Sequence, residues 1–197
     1  MSPRAAGLAR YMPVVAVLAF ASQALAAQTV ASKRVGPQVT SNTTEHGEGG
    51  WLVKIGKSRL DGSALVDLTM NATPPSRGWT DSVVPRLVLR CVEHALWATV
   101  VTGPPNMHPS GADHAMVGYR IDSAARIKEQ WSQVRSGDAV MAPNPGPFIR
   151  KLLSAHTLHF EAPPVNGATP VFDFSLAGLS KVAAQLATPC PLGATSH

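Results

Sequence analysis

The stretch 85–101, PRLVLRCVEHALWATVV, constrains this chain more than any other. Strand side chains alternate with a period of two. Leu87, Leu89 and Cys91 therefore share one face of a first strand, and Val88, Arg90 and Val92 share the other. The chain then reverses at Glu93-His94. Beyond it, Leu96, Ala98 and Val100 alternate with Ala95, Trp97, Thr99 and Val101. Both faces are largely apolar, which predicts a hairpin inside a covered sheet and away from its edge.

Other stretches follow the same alternation. Residues 51–55, WLVKI, read as a strand, and Asp61-Gly62 marks a turn. In residues 64–72, ALVDLTMNA, Ala64, Val66, Leu68 and Met70 face one way and Leu65, Asp67, Thr69 and Asn71 the other. Residues 73–81 are a Pro- and Gly-bearing loop, and 103–115 a longer polar one. Strands are expected at 116–122, 139–142, 158–162 and 169–174, with a turn at Asn166-Gly167. Residues 123–132 fit either a short helix or a turn and then a strand leading to Trp131. Prolines 143, 145 and 147 delay a helix, because only the first turn tolerates the missing N–H. That predicts a helix over 148–155 with Phe148, Ile149, Leu152 and Leu153 inward. A last helix, 176–187 with Ser175 as its cap, has Leu176, Leu179, Val182, Ala183 and Leu186 at helical spacing. The fold class is α+β, mainly β: a single antiparallel-sheet domain with two short helices packed on it.

Residues 1–26 have the layout of a secretory signal peptide. Arg4 and Arg10 form a short basic region, Met12 to Leu25 is apolar apart from Ser22 and Gln23, and Ala24-Leu25-Ala26 is an A-x-A cleavage signal. The apolar run is shorter than the roughly 20 residues a spanning helix needs. Export to the periplasm is expected, with cleavage after Ala26 and no stable membrane insertion afterwards. Residues 27–50 read as a flexible lead-in, 51–190 as one globular domain and 191–197 as a tail. Removing Arg4 and Arg10 from 17 basic residues leaves 15 against 12 acidic ones, a formal charge of +3. The basic residues are scattered, which excludes a nucleic-acid-binding stripe.

Export decides how the two cysteines are read. In an oxidising compartment two cysteines pair, so Cys91 and Cys190 are expected to form a disulfide closing a loop of about 100 residues. Two free thiols, or a catalytic Cys91, are the rival readings. An apolar strand around Cys91 speaks against catalysis.

Few motifs in the sequence carry chemistry. The chain has no G-x-S-x-G, no P-loop and no dinucleotide-binding glycine pattern. Ser154 and His156 lie two positions apart at a helix end and point differently. His108, Asp113 and His114, with Met107 beside them, share one loop and offer zinc or copper ligands, but in no spacing of a closed site. His156 and His159 rank no higher. No metal and no cofactor is expected. Arg90 and Arg120 each sit inside an otherwise apolar strand, and Asp122 follows Arg120 on the same face. A buried Arg needs a partner, and breaking such a pair costs about 3–5 kcal/mol. They are read as a structural ion pair first, and as contacts to a carboxylate or phosphate ligand second. Trp51, Trp79, Trp97 and Trp131 are core anchors, or else line a glycan or lipid groove.

Taken in order, several segments resemble a known family. They are the Trp51 strand, SRLDGSALVDL, PRLVLRC, VGYRID, Trp131 followed by Ser136, PFIRKLL, LHFEAP, VFDFSLAGL and a terminal Cys190. The pattern resembles the accessory periplasmic proteins of type VI secretion called TagO or VasI, from about Trp51 to Cys190. It departs from them after Cys190, where Pro191 stands in place of a Trp. The resemblance implies an exported, non-enzymatic accessory or adaptor of a contractile secretion apparatus. Its partners would be protein components of that system or of the cell envelope. It implies no catalytic residues. The alternative is a periplasmic small-ligand-binding protein or a peptidoglycan hydrolase using the polar loop and the two arginines.

Overall fold

The computed structural model describes residues 43–73, 84–103, 113–162 and 169–193. The chain divides into two units, 1–34 and 35–197, and every described residue belongs to the second. Residues 1–26, expected as a signal peptide, the turn expected at Asn166-Gly167 and Trp79 lie outside the described residues.

Among the described residues ten strands form one antiparallel sheet. In chain order they are β1 (Thr43–His46), β2 (Leu52–Lys57), β3 (Ala64–Asn71), β4 (Arg86–Val92), β5 (Ala95–Val101), β6 (His114–Ile121), β7 (Ile127–Gln133), β8 (Ala139–Met141), β9 (Thr157–Glu161) and β10 (Val171–Ser175). In space the order is β1-β2-β3-β4-β5-β8-β7-β6-β9-β10. The chain passes from β5 to β6, and β7 and β8 step back until β8 pairs with β5. Beyond β3, Thr73 bridges Asp173 of β10, its N–H donating to the Asp173 carbonyl at 2.8 Å. The sheet thus curls round until its β10 edge meets the end of β3. Two helices, α1 (Pro145–Leu152) and α2 (Leu179–Ala187), pack against β5 and β3 respectively. The expected α+β class, mainly antiparallel β with two short helices, is the observed one.

The β4–β5 hairpin is where alternation predicts it. Its register runs from Arg86↔Val101 to Val92↔Ala95. Glu93 and His94 both have positive φ, 51° and 62°, as a two-residue primed turn requires. Leu87, Leu89, Cys91, Leu96, Ala98 and Val100 are buried together. Burying each Leu-sized side chain contributes about 1.5–3 kcal/mol. From the helices, Phe148, Ile149 and Leu152, and Leu179, Val182, Ala183 and Leu186, meet that face.

Three expectations are corrected and one open alternative is decided. The lead-in is partly structured: Thr43–His46 pairs with β2, and Glu48–Gly50 is a 3-10 turn. Ladder bonds use main-chain groups, so a strand can form without an apolar period. Of the two readings of residues 123–132, the turn followed by a strand, β7, is the one observed. The first helix begins at Pro145, before residue 148. The first helical N–H groups have no intrahelical acceptor, so the prolines remove nothing there. The second begins at Leu179, and Ser175 ends β10 instead of capping it. Gly178, with φ 79°, takes the cap position.

The buried aromatic cluster has a polar margin. Trp131 packs on Tyr119, Phe148 and Phe160, with ring centroids 5.2–6.0 Å apart. Glu129 Oε2 accepts hydrogen bonds from Trp131 Nε1 at 2.9 Å and from the Tyr119 hydroxyl at 3.3 Å. Burial, with the Glu129 carboxylate beside it, pushes the Tyr119 hydroxyl up from 10.0 to about 12. A raised pKa stabilises the fold fully below the unfolded value, and that contribution is lost as pH rises through the folded value. Stability should therefore fall between pH 10 and about 12. In a chain beginning at Ala27, Tyr119 is the single tyrosine. Its tyrosinate absorbance should titrate near pH 12, and Glu129→Gln should move the midpoint downwards. A wild-type midpoint at 10 would contradict this environment.

Candidate functional site

The outer face of β2–β5 and β8 is open, which corrects the expectation that both faces of the hairpin are covered. Antiparallel sheets commonly cover one face and leave the other to solvent. Ladder pairing sets three rows across this face. Lys54, Asp67, Arg90 and Trp97 form the first. Leu52, Thr69, Val88, Thr99 and Met141 form the second. Asn71, Arg86 and Val101 form the third. Strands lie about 4.8 Å apart, so the first row spans roughly 14 Å from Lys54 to Trp97.

All of these residues except Leu52 and Asn71 line an open depression of about 630 Å³. Its apolar lining is Val88, Val92, Val101, Val134 and Met141, with Trp97 41% exposed, and Thr69 and Thr99 lie among them. Among these side chains stand three basic residues, Lys54, Arg86 and Arg90, and two acidic ones, Asp67 and Glu93. Arg90 grips Asp67 with two bonds, Nε to Oδ1 at 2.5 Å and Nη2 to Oδ2 at 2.9 Å. Glu93 accepts from the Ser58 hydroxyl at 3.0 Å. Among the described residues Lys54 and Arg86 make no ion pair. The unbalanced charge of this face is therefore positive.

Arg90 is thus paired but exposed, and its partner is Asp67. Arg120 and Asp122 do not pair. Asp122, with φ 50°, turns its carboxylate onto the backbone N–H groups of His156 (2.9 Å) and Thr157 (2.8 Å). These two bonds hold its carboxyl below the usual carboxylate range. Asp122 therefore ties the end of β6 to the start of β9.

Arg120 is exposed and borders a second depression, of about 440 Å³, with Arg126, His159, Glu161 and Asp173. There Arg126 bonds Glu161, and His159 Nδ1 lies 2.6 Å from Asp173 Oδ1. Gly118 leaves room for the first pair, since a Cβ there would stand 2.7 Å from Glu161 Oε2.

His108 and Met107 lie outside the described residues, and Asp113 and His114 are exposed. Among the described residues no three His, Cys, Asp or Glu side chains are grouped to hold a metal. Trp51 and Trp131 are core residues. Cys91 and Cys190 are joined, with Cα atoms 5.9 Å apart. No described helix is long and apolar enough to cross a membrane.

Comparisons add little to this geometry. No family model matches the sequence, and no curated protein matches it. Among solved structures, the crystal structure of invasion associated protein B from Bartonella henselae is similar over 74% of this chain and 96% of that one. The TM-score is 0.48 at 14% sequence identity, a likeness that bears on neither family nor activity.

Proposed function

We propose that this protein is an exported periplasmic adaptor, a non-catalytic accessory of a type VI secretion apparatus. Its outer β2–β5 face holds an acidic protein segment. The observation that carries the reading is that face: an open, partly apolar surface with Trp97 exposed, on which Lys54 and Arg86 make no ion pair among the described residues. Interface cores are enriched in Trp, Met and Arg and surrounded by a polar rim. Lys54 and Arg86 supply the attraction that steers an acidic partner. The disulfide supports an oxidising compartment. The ordered resemblance, with Leu89-Arg90-Cys91 at its centre, supports the secretion assignment.

Cross-linking capture of the mature chain tests this in cells that carry the apparatus. Components of the apparatus should be recovered with the wild type and lost with Trp97→Ala and Arg86→Glu. Both side chains are exposed, so both variants should melt within about 0.5 kcal/mol of wild type. Recovery of no secretion component, or of the same set with both variants, overturns the proposal.

A further inference from the structure

We propose that the depression between Glu129, Tyr119 and one face of α1 binds a small α-amino acid through its ammonium and carboxylate groups. The site lies apart from the β2–β5 face and does not depend on the adaptor reading.

Glu129 shares its face of β7 with Trp131, whose ring is fully buried, so its carboxylate is drawn to the margin of the core. Both of its hydrogen bonds come from neutral donors, Trp131 and Tyr119, and both fall on Oε2. Among the described residues Oε1 accepts no hydrogen bond and no cation lies within 4 Å of the carboxylate. A half-buried carboxylate without a counter-charge is costly, and an incoming cation offsets that cost.

The depression it borders measures about 200 Å³. Asn144, Pro147, Phe148 and Lys151 line it from α1 and its cap. Their spacing of three, one and three residues puts them on one helix face. Lys151 is exposed and, among the described residues, unpaired. A negative group on the inner wall and a positive one on α1 therefore face one small space without joining each other.

A zwitterion satisfies both. Its ammonium donates to Glu129 Oε1 and lies beside the Tyr119 and Phe148 rings, themselves edge-to-face at 5.5 Å. Its carboxylate meets Lys151. At about 30 Å³ per water, the space equals roughly seven waters. That room restricts the ligand to a small side chain, against Ala142 and Pro147.

Titration of the ¹⁵N-labelled mature protein with glycine and with either enantiomer of alanine tests the site. The Trp131 indole N–H, bonded to Glu129, is the reporter. At least one of these ligands should shift it saturably, with a Kd in the millimolar range. Methylammonium and acetate, each carrying half of the ligand, should bind about tenfold more weakly or worse. Glu129→Gln keeps an oxygen to accept from Trp131 and Tyr119 but removes the charge. It should weaken binding about tenfold or more with the fold intact. Lys151→Ala should weaken it as well. No saturable shift up to about 0.1 M, acetate binding as tightly as glycine, or Glu129→Gln binding like wild type overturns the proposal. If Glu129→Gln does not fold, Lys151→Ala decides, since Lys151 is exposed.

Discussion

Reducing the Cys91–Cys190 bond should lower the stability of a chain beginning at Ala27 by up to about 4–5 kcal/mol, the largest effect expected of any single bond in it. The two residues are 99 positions apart. Cross-linking them removes the conformations in which the open chain would hold these ends apart. That restriction grows with loop length, and the chain-entropy model gives about 4.7 kcal/mol for a loop of 100 residues. The bond is also internal, with both sulfurs in the buried cluster. It holds the exit of α2 to the central strand β4, and Arg150 bonds the Leu192 carbonyl just beyond it. In a chain of this size, 1 kcal/mol moves Tm by about 2–4 °C. Thermal melts with and without reductant should then differ by roughly 10–15 °C. The Cys91→Ala/Cys190→Ala double variant should fall at least as far, because it adds a cavity. A midpoint indifferent to reductant, with both thiols shown to be free, would falsify the stapling role.

Alanine at Gly49 or Gly178 should cost about 2–5 kcal/mol, from two causes acting together. Both glycines have positive φ, 72° and 79°, where an L side chain crowds its own carbonyl. They also face each other's backbone. A Cβ on Gly49 would stand 1.9 Å from the Ala177 carbonyl oxygen, and one on Gly178 would stand 2.3 Å from that of Glu48. Main chain cannot swing aside as a side chain tip can, so the two segments would have to part. Parting them breaks the Trp51 Nε1 bond to the Ala177 carbonyl, 3.1 Å, and the Lys181–Glu48 ion pair, 2.5 Å. Gly50 separates the causes. Its φ is 89°, yet nothing lies within 4 Å of a Cβ there. Gly50→Ala should therefore show the conformational cost alone, about 1–2 kcal/mol. Urea melts of the three variants check this, and equal losses at Gly49 and Gly50 would refute the close-approach argument.

The glycine contact also shows why the start of the domain was hard to read. Residues 43–50 have no apolar rhythm, and what holds them is main-chain pairing with β2 and a close approach to residues 177–178. Neither leaves a periodic trace. A similar limit applies to Arg90. Its place in an apolar strand was legible, but its partner Asp67 lies 23 positions earlier. Period-two alternation assigns each residue to a face of its own strand and says nothing of register between strands. Arg120 and Asp122 share a face by that count. The chain leaves the strand at Asp122, however, and the carboxylate turns onto β9.

The sequence alone determined the class of this protein. Its alternating apolar runs, turn residues and two helical stripes specify an antiparallel sheet with two short helices, because burial of one face is a local, periodic demand. Its two cysteines, read together with the expected export, pointed to the staple that the structure contains. Only the tertiary structure decided which face of the β4–β5 hairpin stays open, and that Lys54, Asp67, Arg90 and Trp97 align across four strands. It likewise decided that Glu129 and Lys151, from different elements, look into one small space. Those relations depend on strand register and helix docking, which are set by long-range packing and not by any local pattern in the chain.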